Sequence, residues 1–118
     1  MGANEMVGAY GERVAARHLA DAGFVVLDRN WRCQYGEIDI VARDGPTLVF
    51  CEVKTRRSAR FGDPAEAVGL AKAERLRRLA LRWVEVSGLR DPEMRFDVLS
   101  VRPQPAGPAT VEHLRGAF

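Results

Sequence analysis

A chain of 118 residues with 47% hydrophobic and 29% charged side chains is sized for one domain spanning residues 1–118 and is long enough to bury a real core. Its net charge of +2 is too small to mark a nucleic-acid binder by itself. No apolar run approaches the ~20 residues that cross a bilayer, and an early Glu5 replaces the basic and apolar regions of a secretory signal, so a cytoplasmic protein is expected.

From Glu5 to Ala22, Val7, Tyr10, Val14 and Leu19 recur at helical spacing, with Asn4 as a candidate N-cap and Gly23 as the stop. Gly8, Gly11, Ala15 and Ala16 surround Glu12 with small residues, so this helix can approach a sheet closely there. Phe24 to Leu27 reads as a first strand. The polar segment Asp28 to Tyr35 carries Trp31 and Tyr35, which either stack on splayed bases or cover the sheet. Cys33 and Cys51 lack zinc-ligand spacing and are expected to be reduced, and His18 and His113 stand alone as surface or packing residues.

Two apolar runs, Ile38 to Ala42 and Leu48 to Val53, flank Arg43-Asp44-Gly45-Pro46 and predict a β-hairpin. Within them stand Glu37, Asp39, Glu52 and Lys54, groups that are costly to bury without a purpose. Pairing Ala42 with Thr47 sets Glu37 opposite Glu52 and Asp39 opposite Phe50, placing all four charged groups on one face. Asp39 and Glu52 then offer hard oxygen ligands to Mg²⁺ or Mn²⁺, and Lys54 can stabilise a phosphate or position water. A surface ladder of ion pairs would use the same residues, but large apolar side chains on both faces favour a covered central strand.

Beyond the hairpin, Arg56, Arg57 and Arg60 form a basic loop beside the candidate site. Asp63-Pro64-Ala65-Glu66 is a capping sequence that predicts a helix start, with a break or bend at Gly69. Leu76, Leu79, Ala80, Trp83 and Val84 continue an apolar stripe to Ser87-Gly88, and Lys72, one turn before it, either faces the same cleft or is solvated. Phe96 to Val101 and Thr110 to Leu114 read as strands, separated by the proline-rich loop Pro103 to Pro108. There are no internal repeats.

Asp39 followed by Glu52-Val53-Lys54 after a hairpin resembles the PD-(D/E)XK nuclease core. The wider string resembles the bacterial YraN-like family, itself similar to archaeal Holliday junction resolvases. The matching pieces are Gly8-Ala9-Tyr10-Gly11-Glu12, Asn30, Gly36-Glu37-Ile38-Asp39, Phe50 to Arg56, Phe61-Gly62, Lys72, Arg95-Phe96-Asp97 and Ala117-Phe118. One departure is Ile38, where the motif's name has proline. The resemblance implies that Glu12 reaches the metal as a third carboxylate, a role that its helical position alone would not suggest.

Together these readings predict an α/β fold, a three-layer-like sandwich with a central mixed β-sheet flanked by helices. The expected function is metal-dependent phosphodiester hydrolysis of structured or branched DNA. Glu12, Asp39, Glu52 and Lys54 would be catalytic and the three acids would hold Mg²⁺ or Mn²⁺. Arg56, Arg57, Arg60 and Lys72 would bind nucleic acid, and the candidate partners are branched DNA and a second copy of the chain. The alternative is a nucleic-acid-binding module of the same fold without cleavage; a scaffold for protein partners is a third.

Overall fold

The computed structural model describes residues 3–56 and 69–118, with side chains from Met6 onward. Helix α1 (Ala3–Asp21) leads into strands β1 (Val25–Cys33), β2 (Gly36–Asp44) and β3 (Thr47–Thr55), then helix α2 (Leu70–Ser87) and strands β4 (Glu93–Arg102) and β5 (Thr110–Leu114). Asn4 lies inside α1 and is not its cap. Gly23 stops the helix as expected: at φ 92° it takes the left-handed turn, and the next amide, Phe24 N–H, donates to Leu19 O at 2.9 Å.

The five strands form one sheet in sequence order, antiparallel except for the parallel β3–β4 pair, which α2 connects. Of the polar segment Asp28 to Tyr35, the residues through Cys33 belong to β1, and Gln34 and Tyr35 form the turn to β2. Strand β1 tolerates polar side chains because, among the described residues, only β2 lies beside it, and an irregularity between Val26 and Asp28 shifts its register. The strand expected from Phe96 likewise begins earlier, at Glu93, where parallel pairing with Thr47 extends it. The expected helix start at Asp63-Pro64 lies outside the described residues; the described part of α2 has Gly69 as its N-cap and ends at Gly88, whose φ is 79°.

The hairpin register differs from the expected one. Ala42 pairs with Val49 and Asp44 with Thr47, leaving a two-residue Gly45-Pro46 loop in place of a four-residue one. Gly45 at φ 58° supplies the positive first position of a tight hairpin turn, and proline suits the second. Over the paired residues Ile40 to Asp44 the two-residue shift preserves which side chains share a face.

Alternation along β3 fills two cores. Val49 and Cys51 join Ile40, Ala42, Leu99 and Val101 under Ala15 and Leu19 of α1. Leu48 and Phe50 join Ile38, Val41 and Phe96 under Leu76, Leu79, Ala80 and Trp83 of α2. The sheet therefore lies between the helices as a sandwich, each fully buried Leu, Ile or Phe contributing roughly 1.5–3 kcal/mol. An aromatic column crosses the second core: Phe118 stacks on Phe96, Phe96 on Phe50, and Phe50 meets Trp83 edge-on, with centroids 5.6 to 5.9 Å apart. Both cysteines are free, and among the described residues no helix is long and apolar enough to cross a membrane.

Candidate metal centre

The small-residue patch on α1 lets the helix touch the sheet. Gly11 faces Thr55 at the end of β3, with no room between them for a side chain. The next residue, Glu12, reaches the sheet, where the Asn30 side chain favours its charged form. Asn30 holds φ 51° within β1, a left-handed conformation that asparagine tolerates better than most residues. Burial pushes the Glu12 carboxyl above its ordinary value, against the lowering effect of the Asn30 side chain, and the Glu37 charge adds to the rise.

At the start of β2 the strand's alternation breaks. Ile38 packs in the α2 core and Ile40 in the α1 core, although residues two apart in a regular strand share a face. Asp39 lies at this break, and its Oδ2 accepts the Val53 N–H at 2.8 Å. One carboxylate oxygen of each of Glu12, Glu37 and Asp39 lies within 4.8 Å of the others. Burial first, then the Glu52 charge, with smaller additions from Glu12 and Glu37, together push the Asp39 carboxyl up to about 7 against the lowering effect of the Val53 N–H. Glu37 is also paired with Arg32 at 2.8 Å.

Glu52 stands beside this cluster without joining it. Its Oε1 lies 2.5 Å from Lys72 Nζ on α2 and 3.2 Å from Lys54 Nζ. Burial lowers the Lys54 pKa, and the neighbouring Lys72 ammonium lowers it further. The four charged groups of the hairpin thus divide: Glu37 and Asp39 gather toward Glu12 of α1, whereas Glu52 and Lys54 meet Lys72 of α2. The break at Ile38–Ile40 causes the division, and Glu52 still raises the Asp39 pKa across it.

An octahedral Mg²⁺ or Mn²⁺ at ~2.1 Å from its ligands needs oxygens about 3 Å apart, a spacing that rotation of two flexible glutamates can reach from the observed positions. Three hard oxygen donors, one of them the partly buried Asp39 carboxyl with its raised pKa, fit such an ion. Sequence reasoning passed over Glu37 as a ligand because its placement depends on the strand break and the neighbouring helix.

Arg56 lies at the end of β3, its N–H donating to Val101 O at 2.9 Å. Arg57 and Arg60 fall outside the described residues. Trp31 packs against the α2 core, whereas Tyr35 is exposed in the β1–β2 turn. His113 is not alone. It lies 2.7 Å from fully buried Asp97, which also receives two hydrogen bonds from Arg95 and one from the Gly116 N–H. Burial raises the Asp97 carboxyl, but these partners outweigh it and hold the pKa down at about 2.

Sheet, helices and carboxylate cluster define an α/β sandwich with an acidic centre bordered by two lysines. The chain belongs to the uncharacterised protein family UPF0102, whose profile matches residues 11–101. A UPF0102 protein of Frankia alni is 57% identical over 118 residues, covering 100% of this chain and 98% of its own. One from Beutenbergia cavernae is 57% identical over 116 residues and one from Streptomyces griseus subsp. griseus 55% over 117, each match covering 98% of both chains.

Proposed function

We propose that this protein is a divalent-metal-dependent endonuclease that hydrolyses phosphodiesters in structured or branched DNA. The observation that carries the reading is the convergence of Glu12, Glu37 and Asp39 within 4.8 Å, beside Glu52 and its two lysines. The likeness of the Asp39, Glu52-Val53-Lys54 string to the PD-(D/E)XK nuclease core and to archaeal Holliday junction resolvases points the same way.

Glu12, Glu37 and Asp39 would hold Mg²⁺ or Mn²⁺, with Glu52 recruited from its lysines. A bound ion supplies charge stabilisation at the phosphate and acidifies water. The chain's own groups do the rest. The Val53 N–H fixes the Asp39 carboxylate, Asn30 favours the charged form of Glu12, and Lys54 and Lys72 offer ammonium groups to a phosphate that approaches the Glu52 side.

A binding module without cleavage is the second reading. It is favoured by the engagement of Glu52 with two ammonium groups, which satisfies that carboxylate without an ion. Calorimetric titration of Mn²⁺ into the wild type and Asp39→Asn, followed by cleavage assays on branched and linear duplex DNA, separates the two. Binding lost in the variant together with metal-dependent cleavage supports the nuclease; DNA binding without metal uptake or cleavage overturns it in favour of the module.

A further inference from the structure

An open cleft of about 460 Å³ lies between the β1–β2 turn and α2, away from the carboxylate cluster. Gln34 and Tyr35 form one wall, and Arg78, Leu81, Arg82 and Glu85 the other. Tyr35 is 57% exposed and Leu81 61%, so an aromatic ring and an aliphatic side chain face solvent across a gap bordered by arginines. The cleft's acid, Glu85, is paired with Arg82 at 2.8 Å. Such an exposed pair is weak, and a phosphate can replace the carboxylate.

The surroundings say what fits there. Lys72, Arg75, Arg78 and Arg82 follow one flank of α2, and at ~1.5 Å rise per residue Arg82 lies about 15 Å along the helix from Lys72. That length accommodates several consecutive phosphates, beginning where Lys72 meets Glu52. On the opposite wall, Tyr35 stands in the β1–β2 turn, two residues before Glu37 in the sequence.

The geometry points to a binding subsite for an unpaired nucleotide of single-stranded DNA, its base stacked on Tyr35 and against Leu81 and its flanking phosphates on Arg78 and Arg82. Charge selects the occupant: the basic flank suits a polyanion, and an exposed tyrosine beside it gives a base a face to stack on. The inference builds on the proposed action on structured DNA, whose junctions and ends display unpaired nucleotides, but the subsite does not require a metal.

The probe is fluorescently labelled oligothymidylate, measured by anisotropy against the full chain over a range of salt concentrations. Tyr35→Ala should weaken binding about tenfold and leave the salt dependence unchanged, while Tyr35→Phe retains affinity. The Arg78→Ala, Arg82→Ala double variant should reduce the log–log salt slope by about 1.4. Melting temperatures and Mn²⁺ titrations should match the wild type in every variant, since the altered side chains are exposed and outside the carboxylate cluster. Wild-type protein that does not bind the oligonucleotide, or variants with unaltered affinity and slope, would overturn the subsite. So would weakened binding accompanied by a changed oligomeric state, which would assign the cleft to a second copy. Tyrosine-dependent oligonucleotide binding without Mn²⁺ uptake keeps the subsite and removes the hydrolytic reading; Mn²⁺ uptake with indifferent cleft variants does the reverse.

Discussion

Gly11 packs so tightly on Thr55 that any side chain at this position would overlap the threonine side chain. This contact sets the height of α1 above the sheet and hence the reach of Glu12 toward Asp39.

Gly11→Ala should therefore push α1 outward, costing on the order of 1–3 kcal/mol of stability and weakening Mn²⁺ binding at the same time. Gly8→Ala is the control: nothing lies within 4 Å of the added carbon, and alanine favours the helix by up to about 1 kcal/mol. Chemical denaturation and calorimetry on both variants check the claim, and full metal affinity in Gly11→Ala would contradict it.

Asp97 should be the acid-sensitive member of the fold. Its carboxyl is held at about 2 in the folded chain against an ordinary 3.8, so its stabilising contribution is complete above about pH 4 and is lost as pH falls through 2. The difference amounts to about 2 kcal/mol. Asp97→Ala should cost about 3–5 kcal/mol, because Arg95 and His113 lose a buried partner and the Gly116 N–H loses its acceptor. Denaturant melts from pH 2 to pH 7 test both statements; a variant within 1 kcal/mol of wild type throughout would rule them out.

The α/β sandwich was legible from helical and strand periodicity together with the hairpin signal, and the face shared by Val49 and Cys51 followed from parity alone. Parity did not reveal the break between Ile38 and Ile40, because nothing in the local sequence specifies which helix each side chain meets. Glu37 was consequently seen as a face-mate of Glu52 and not as a neighbour of Glu12. The close approach of α1 was readable from Gly11, whereas the partnership of His113 with Asp97 depends on β4–β5 pairing across a proline-rich loop. A strand as polar as β1 has no signature distinct from a loop until β2 is beside it.

Asp39 governs a different pH window. Its folded pKa of about 7 exceeds the ordinary 3.8, so the folded metal-free chain binds the proton more tightly than the unfolded one. Stability should fall as pH rises from about 4 to about 7 and level off above, by a few kcal/mol at most. Asp39→Asn should remove this decline, leaving the variant as stable as wild type or more so at pH 8, while abolishing Mn²⁺ binding. Mn²⁺ should raise the melting temperature of the wild type alone. Thermal melts with chelator and with Mn²⁺ between pH 4 and pH 8 decide the matter. A strongly destabilised Asn variant that still bound Mn²⁺ would make Asp39 a structural residue and sink the nuclease reading.

Lys54 should separate turnover from metal binding. Its ammonium lies 3.2 Å from Glu52 Oε1, and Lys72 approaches the same oxygen from α2. Replacing Lys54 by methionine leaves Glu52 paired with Lys72, so the fold should lose less than about 1 kcal/mol, in keeping with a partly exposed pair. Mn²⁺ affinity should hold or rise slightly, because lysine is not a ligand and one competing cation has gone. Cleavage should nevertheless fall about 10²- to 10³-fold, the scale expected when a positioned donor to a developing anion is removed. Lys54→Arg keeps the charge with a different reach and should recover only part of the rate. Single-turnover assays beside calorimetry distinguish the cases: unchanged cleavage in Lys54→Met would exclude Lys54 from the chemistry, and a parallel loss of Mn²⁺ binding would mean that Lys54 acts by keeping Glu52 and its neighbours in place.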